Sequence, residues 1–314
     1  MQKKGRSVAV PMKAVVTGAL NYSGQHIARR LLEEGHQVTT LTHSQHRPNP
    51  FGDAIRIRPF RFDSPEEMAR LLQGTDVLFN TYWIRYNHKR FTFDDALANS
   101  EILINAARDA GVDRIVHISI TNPSPSSPLP YFKGKALVEE MIKSSGVSYA
   151  VLRPAVLFGG HGVLINNIAW MLRHLPVFGL PGDGRYRVQP IHVEDLARLM
   201  VEASKSSENT TTDAIGPETF QYKDLVQTIA AILGKRRLVV GVPPGVAYGS
   251  AYLLGKLLGD VILTWDEIRG LMSDVLYVDS PPVGTIALSD WARKNKDLLG
   301  RRYVNDLKKR LVRS

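Results

Sequence analysis

Between Lys13 and Arg153, short β-branched runs alternate with helical patterns, and this rhythm leaves the chain few folds to choose from. Lys13–Thr17 reads as a buried strand. A glycine-containing turn and a helix through Glu34 follow, and Gly35 closes that helix as a left-handed cap. Gln37–Thr42 and Ile55–Phe62 read as further strands. Ser64 is placed as the N-cap of the next helix, with Pro65 at its first position and Glu66 and Glu67 in its first turn. Asp76–Asn80 is a fourth strand, Phe93–Ala110 a long helix closed by Gly111, and Arg114–Ser119 a fifth strand. Tyr131–Ser144 is a helix and Tyr149–Arg153 a sixth strand.

Such a βαβ succession implies an α/β fold with a Rossmann-type, doubly wound parallel sheet. Ligands of these sheets lie beyond the carboxyl ends of the strands, so functional residues are expected just after each strand. From Phe158 the pattern loosens into a smaller C-terminal substrate lobe. Its elements are a helix at Val163–Arg173, a turn at Pro181–Gly184, a short strand at Val188–His192, and helices at Glu194–Ser204 and Tyr222–Leu233. The expected division is a tail at 1–11, a dinucleotide-binding core at 12–160 and a lobe at 161–314. Late core elements at about 188–216 interleave with that lobe. The apolar stretch Leu238–Gly255 contains Pro243–Pro244 and several glycines, so it reads as strand, turn and buried lobe helix.

The 314 residues contain no cysteine, which excludes zinc ribbons, disulfide scaffolds, thiol catalysts and cysteine-ligated clusters. His88, His117, His161, His174 and His192 show no close pairing with a second ligand residue, so no metal is expected. The net charge of +10 is terminal. Residues 1–60 hold 9 Lys/Arg against 3 Asp/Glu, residues 293–314 hold 9 against 2, and the body between is nearly neutral. Without a basic stripe on a nucleic-acid-binding motif, no nucleic-acid partner is expected. Asp297–Arg313 reads as a basic amphipathic helix through Leu299, Tyr303, Leu307 and Leu311. It either packs on the domain or makes peripheral contact with an anionic membrane. With no convincing secretory or membrane segment, a cytoplasmic location is expected.

Three motifs carry chemistry. Thr17–Gly24 lies between a strand and a helix, where backbone N–H groups can meet a pyrophosphate. It puts Gly18, Leu20, Asn21, Tyr22, Ser23 and Gly24 at a dinucleotide. Asn21 stands where the middle glycine would be, a position for which its tolerance of a left-handed backbone suits it. The second strand ends without the acidic residue that usually binds the ribose 2′-hydroxyl. His43, Ser44 and Arg47 are there instead, which favours the 2′-phosphate of NADP over NAD. Asn80 and Thr81 end the fourth strand beside the same turn. Tyr131 and Lys135 form a Y-x-x-x-K on one helical face, where an ammonium favours the phenolate. Ser119 ends the fifth strand, placed to bind a substrate oxygen.

TGxxxxxG, Asp63, Asn99, VHIS at 116–119, YxxxK at 131–135 and LRPAVLFG at 152–159 occur in that order. This order resembles the short-chain dehydrogenase/reductase superfamily over about residues 12–215. The likeness is to its extended and atypical branch, which includes nucleotide-sugar epimerases, dehydratases and the accessory nucleotide-binding subunit of respiratory complex I. The resemblance implies that Ser119, Tyr131 and Lys135 are catalytic and that Asn99 has a structural and proton-relay place. It further implies that Asp63 meets the adenine, that Pro154, Ala155 and Val156 line the nicotinamide, and that His192–Asp195 links lobe and core.

The chain departs from the family at Asn21 and at Tyr82–Trp83, where small residues are usual. These two rings either pack the core or wall an apolar pocket. Asn166, Asn167 and Arg187 are candidate contacts for a polar or anionic substrate. The leading expectation is an NAD(P)-dependent oxidoreductase or epimerase/dehydratase acting on a small molecule. The alternative is a non-catalytic NADPH-binding structural or redox-sensing subunit.

Overall fold

A computed structural model describes residues 11–43, 45, 47–87 and 91–311. The first half runs β1 (Lys13–Thr17), α1 (Tyr22–Glu33), β2 (Gln37–Thr42), β3 (Ile55–Pro59), α2 (Pro65–Leu72) and β4 (Val77–Asn80). It continues with α3 (Phe93–Asp109), β5 (Arg114–Ile118), α4 (Pro130–Ser144), β6 (Ser148–Pro154) and β7 (Val156–Phe158). Next come α5 (Val163–His174), β8 (Val177–Pro181), β9 (Arg187–Val188), β10 (Pro190–His192), α6 (Val193–Ser204) and β11 (Thr210–Ala214). The chain ends with β12 (Phe220–Gln221), α7 (Tyr222–Ile232), β13 (Leu238–Val242), α8 (Pro244–Leu258), α9 (Trp265–Met272), α10 (Leu288–Lys294) and α11 (Asp306–Leu311).

The central sheet has seven strands in the order β11-β6-β5-β4-β1-β2-β3, and every neighbouring pair is parallel. Strand order therefore reverses between β1 and β4, the crevice where such sheets bind ligands. Alternation along the strands sorts the core onto two faces. On one side Val16, Val116 and Leu152 pack with Ile27 and Leu31 of α1 and Leu196 and Met200 of α6. On the other, Val15, Leu78 and Ile115 pack with Met68 of α2, Leu103 of α3 and Ile142 of α4. The lobe has its own core, in which Ile165, Leu172, Leu180, Leu225, Ile229 and Leu288 meet.

Three expectations change. The third strand ends at Pro59 rather than Phe62, because proline cannot continue the ladder. Asp297–Arg313 is not one helix within the described residues. Gly300 at φ +71° breaks it, and its short helical part begins at Asp306. The stretch after Leu238 does form strand, turn and helix, but α8 is not a buried helix: only Ala247 and Gly255 of its 15 residues are buried.

Candidate functional site

The turn after β1 is shaped by two close approaches. Gly18 adopts φ +70°, a left-handed conformation that side chains resist. A Cβ on Gly24 would lie 2.3 Å from the Gly18 carbonyl oxygen, so only glycine lets α1 start there. Asn21 is not left-handed. It caps α1 with φ −99°, leaving Gly18 to make the turn, and its side-chain oxygen accepts a hydrogen bond from Arg47. Arg47 thus reaches from beyond β2 onto the turn. His43 packs on Phe60 and Phe62, and Ser44 lies outside the described residues. Tyr22 donates to the Gly159 carbonyl at 2.7 Å, and burial first, then Glu194, raises its pKa. One turn on, His26 meets Glu194 of α6 at 2.5 Å.

β4 and β5 carry the next layer. Thr81 donates its backbone N–H to the Thr17 hydroxyl at 2.7 Å and its own hydroxyl to the Thr17 carbonyl. Asn80 is buried behind this pair and accepts from the Tyr82 N–H at 3.0 Å. His117, its register partner, is fully buried with no hydrogen bond of acceptable geometry at either ring nitrogen. Burial first, then the Lys135 charge, holds its pKa far below the usual value and keeps it neutral.

α4 faces these strand ends with Tyr131, Lys135 and Glu139, each one turn apart. Lys135 is buried and donates from Nζ to the Ile118 carbonyl at 2.6 Å. Burial lowers its pKa to about 7, against a smaller opposing pull from Glu139. Burial alone would raise the Glu139 carboxyl. Its bonds to Arg153, at 2.9 and 2.6 Å, lead the effects that bring it below the usual range. The Ser119 hydroxyl lies in the field of Glu139 and adds to that effect, yet is buried without a well-formed hydrogen bond. Trp83 stacks on Phe93, stands edge-on to Tyr131, and carries the Lys135 ammonium 5.3 Å from its ring centre.

The turn after β1, the ends of β4 and β5 and the start of α4 border one cavity of about 1760 Å³. Its wall includes Gly18, Leu20, Asn21, Tyr22, Ser23, His43, Arg47 and Thr81 on the turn side. Ser119, Tyr131, Lys135, Pro154, Ala155 and Val156 line the middle, with Tyr82 and Trp83. Apolar lobe residues close the far end, among them Leu164, Met171, Phe178, Val240, Leu254 and Leu263. A dinucleotide fits this arrangement: Gly18 and Gly24 let the strand turn tightly into α1 at the cavity wall, and the buried Ser119 hydroxyl lies on the same wall as Tyr131 and Lys135.

Other expected site residues lie elsewhere. Asn80 and Gly24 sit behind the wall. Asp63 also lies off the wall, because the early end of β3 puts Phe60 there instead. Asn99 is off the wall itself and donates to the hydroxyl of Tyr82, which is on it, at 2.9 Å. Asn166 binds the Arg302 carbonyl and the Gly300 N–H, and Asn167, though on the wall, binds both backbone groups of Val304. Arg187 donates from Nε and Nη2 to Oδ2 of Asp274, whose Oδ1 accepts from the Arg187 backbone N–H, and its guanidinium lies 3.5 Å over the Tyr277 ring, outside the cavity. Two residues escaped the sequence reading. Glu139 was accessible, being four residues after Lys135 on the same helical face. Arg85 was not: its partners Glu267, Asp306 and Ile262 are all at least 177 residues away.

The sequence profile of the NAD(P)H-binding family matches residues 18–206, which span the glycine turn, Tyr131, Lys135 and α6. The chain belongs to this NAD(P)H-binding family. One relative is the mitochondrial 40 kDa subunit of NADH-ubiquinone oxidoreductase from Neurospora crassa. It is 26% identical over 273 residues, covering 84% of this chain and 72% of the relative. Among solved structures, a nucleoside-diphosphate-sugar epimerase from Staphylococcus aureus aligns with TM-score 0.74 at 17% identity, over 90% of this chain and all of that one. The Citrobacter sp. triphenylmethane reductase complexed with NADP(H) aligns with TM-score 0.71 at 17% identity, over 91% of this chain and all of that one. The fold is that of the epimerases and reductases, with the glycine turn at the sheet's switch point.

Proposed function

We propose that this protein is an NADPH-preferring oxidoreductase that acts at a carbonyl or hydroxyl carbon of an apolar small molecule. The observation that carries this reading is the convergence of Ser119, Tyr131 and Lys135 on the cavity that also contains the glycine turn. Bound nicotinamide would supply or accept hydride at the substrate carbon. In the reducing direction Ser119 donates a hydrogen bond to the carbonyl oxygen and Tyr131 delivers the proton to it. In oxidation Tyr131 takes the proton back. Lys135 in its charged form favours the phenolate form of Tyr131, and Glu139 partly offsets the burial that lowers the Lys135 pKa.

Arg47 at the turn, with no acid at the end of β2, supports NADPH over NADH. The apolar far wall supports an apolar substrate. The polar candidates Asn166 and Arg187 are engaged with the chain itself, so neither is left to hold a sugar nucleotide. Nicotinamide absorbance, with 9,10-phenanthrenequinone as carbonyl probe, tests the reading. Probe-dependent oxidation of NADPH is expected, and its absence with cofactor firmly bound would count against it.

A second reading is a subunit that holds NADPH without turnover, as part of a larger assembly. Trp83 favours it, because a Cβ on Gly134 would come within 2.5 Å of the indole, so bulk crowds the ground beside Lys135. The Neurospora relative is itself a subunit of NADH-ubiquinone oxidoreductase. Slow NADPH release with no oxidation by any carbonyl probe would support this reading.

A further inference from the structure

The α8 helix carries its large apolar side chains on the outside. Leu253 and Leu257 are 67% and 84% exposed, and Val246 and Tyr252 are each 53% exposed. Helical spacing puts Leu253 and Leu257 on one side, with Tyr252 about 100° round the helix from Leu253, and Val246 lies where this side meets the cavity wall. Tyr248 and Trp265 are exposed as well and meet edge-on at 5.8 Å. From Leu238 to Gly259 there is no Asp or Glu, and the sole charge is Lys256.

Basic residues gather where this helix ends. Asn305 donates to the carbonyls of Leu258 and Gly259 at 3.0 and 3.1 Å. The Asp260 carboxylate accepts from the Tyr303 hydroxyl at 2.7 Å and from the N–H groups of Asp306 and Leu307 at 3.0 and 2.8 Å. The start of α11 is therefore fastened to the end of α8. Exposed Lys308, on α11, comes with it towards the end of α8 that carries Leu257, and Arg301 and Arg302, also exposed, precede this segment in the chain. Basic residues of the C-terminal segment thus lie close to the end of the apolar face.

An aliphatic stripe flanked by Tyr and Trp and bordered by Lys and Arg, with the exposed acid Asp266 only at its margin beside Trp265, suits the interfacial zone of a bilayer with anionic lipids. We propose that the outer face of α8 seats on an anionic phospholipid surface, with Lys256 and the C-terminal basic residues at the headgroups. Among the described residues no helix is long and apolar enough to cross a membrane. The 15 residues of α8 suit a helix lying in the interface plane. Its inner face, with Ala247, Ala251 and Leu254, lines the cavity. A seated α8 would bring the apolar end of that cavity beside the acyl chains, from which an apolar substrate enters. This last step rests on the oxidoreductase reading, whereas the docking itself does not.

The test is co-sedimentation of the full chain with phosphatidylcholine vesicles, alone or with about a third phosphatidylglycerol, read without any turnover assay. The wild type is expected to sediment with the anionic vesicles and far less with the neutral ones. Leu253→Asp/Leu257→Asp should weaken that binding at least about tenfold, given the apolar area withdrawn from lipid. Both side chains face outward, so the circular dichroism spectrum and Tm should stay unchanged. The proposal is overturned if the wild type binds neither vesicle or if the double variant binds as the wild type does. It is equally overturned if light scattering shows that the substitutions dissolve a dimer, which would mean a second copy covers α8.

Discussion

Lys135 Nζ donates to the carbonyl of Ile118 at 2.6 Å, fastening α4 to the strand end that presents Ser119. The bond puts an ammonium in a buried place. Burial lowers its pKa from 10.5 to about 7. Between those values the unfolded chain binds more protons than the folded one, so stability should rise with pH across that window. The slope should reach up to about 1.4 kcal/mol per pH unit. Urea unfolding of the cofactor-free protein at several pH values measures it, and Lys135→Met should flatten the dependence. An unchanged slope in that variant would assign the titration to another group.

Arg47 contacts the Asn21 side chain across the glycine turn. If it holds a 2′-phosphate, Arg47→Ala should weaken NADPH binding about tenfold, as expected for a lost charge-assisted bond. NADH binding should change little. Fluorescence titration with both cofactors gives the comparison, and equal losses would refute the assigned preference.

The Gly18–Gly24 approach leaves no room for a methyl group. Gly24→Ala should cost about 2–3 kcal/mol, since the clash is with backbone, and should remove cofactor binding with it. A Tm shift alongside NADPH titration checks both. Ala tolerated with full NADPH affinity would show that the turn relaxes more readily than its geometry implies.

These motifs were legible because each is local. A strand, a turn and a helix start occupy eight residues at Thr17–Gly24, and Tyr131 and Lys135 share one helical face. What stayed hidden depends on contacts far along the chain. Arg187 finds Asp274 across 87 residues, and Asn166 finds Arg302 across 136, so two apparent substrate contacts act as braces. The apolar run at Leu238–Gly255 suggested burial, because a sequence pattern does not say whether the surface that covers a helix belongs to the same chain. The C-terminal periodicity was real, but Gly300 interrupts it and the bonds of Asn166 and Asn167 set its path.

Arg85 joins the loop after β4 to the lobe through Glu267 at 2.5 Å, Asp306 at 3.1 Å and the Ile262 carbonyl at 3.0 Å. Removing one member of a largely buried ionic cluster leaves the others unpaired. Arg85→Ala should therefore cost about 3 kcal/mol, seen as a lower urea midpoint. Hydrogen exchange should locate the loosening in α9 and α11. Uniform loosening that includes the central sheet would contradict this assignment.

The most direct test concerns Tyr131. The wild type and Tyr131→Phe are compared by NADPH titration and by NADPH oxidation with a carbonyl substrate the wild type turns over. Loss of the proton donor should lower kcat by about 10²–10⁴ while leaving the NADPH dissociation constant within about twofold. Turnover by the variant equal to the wild type would contradict the assignment of Tyr131 and, with it, the catalytic account of this cavity.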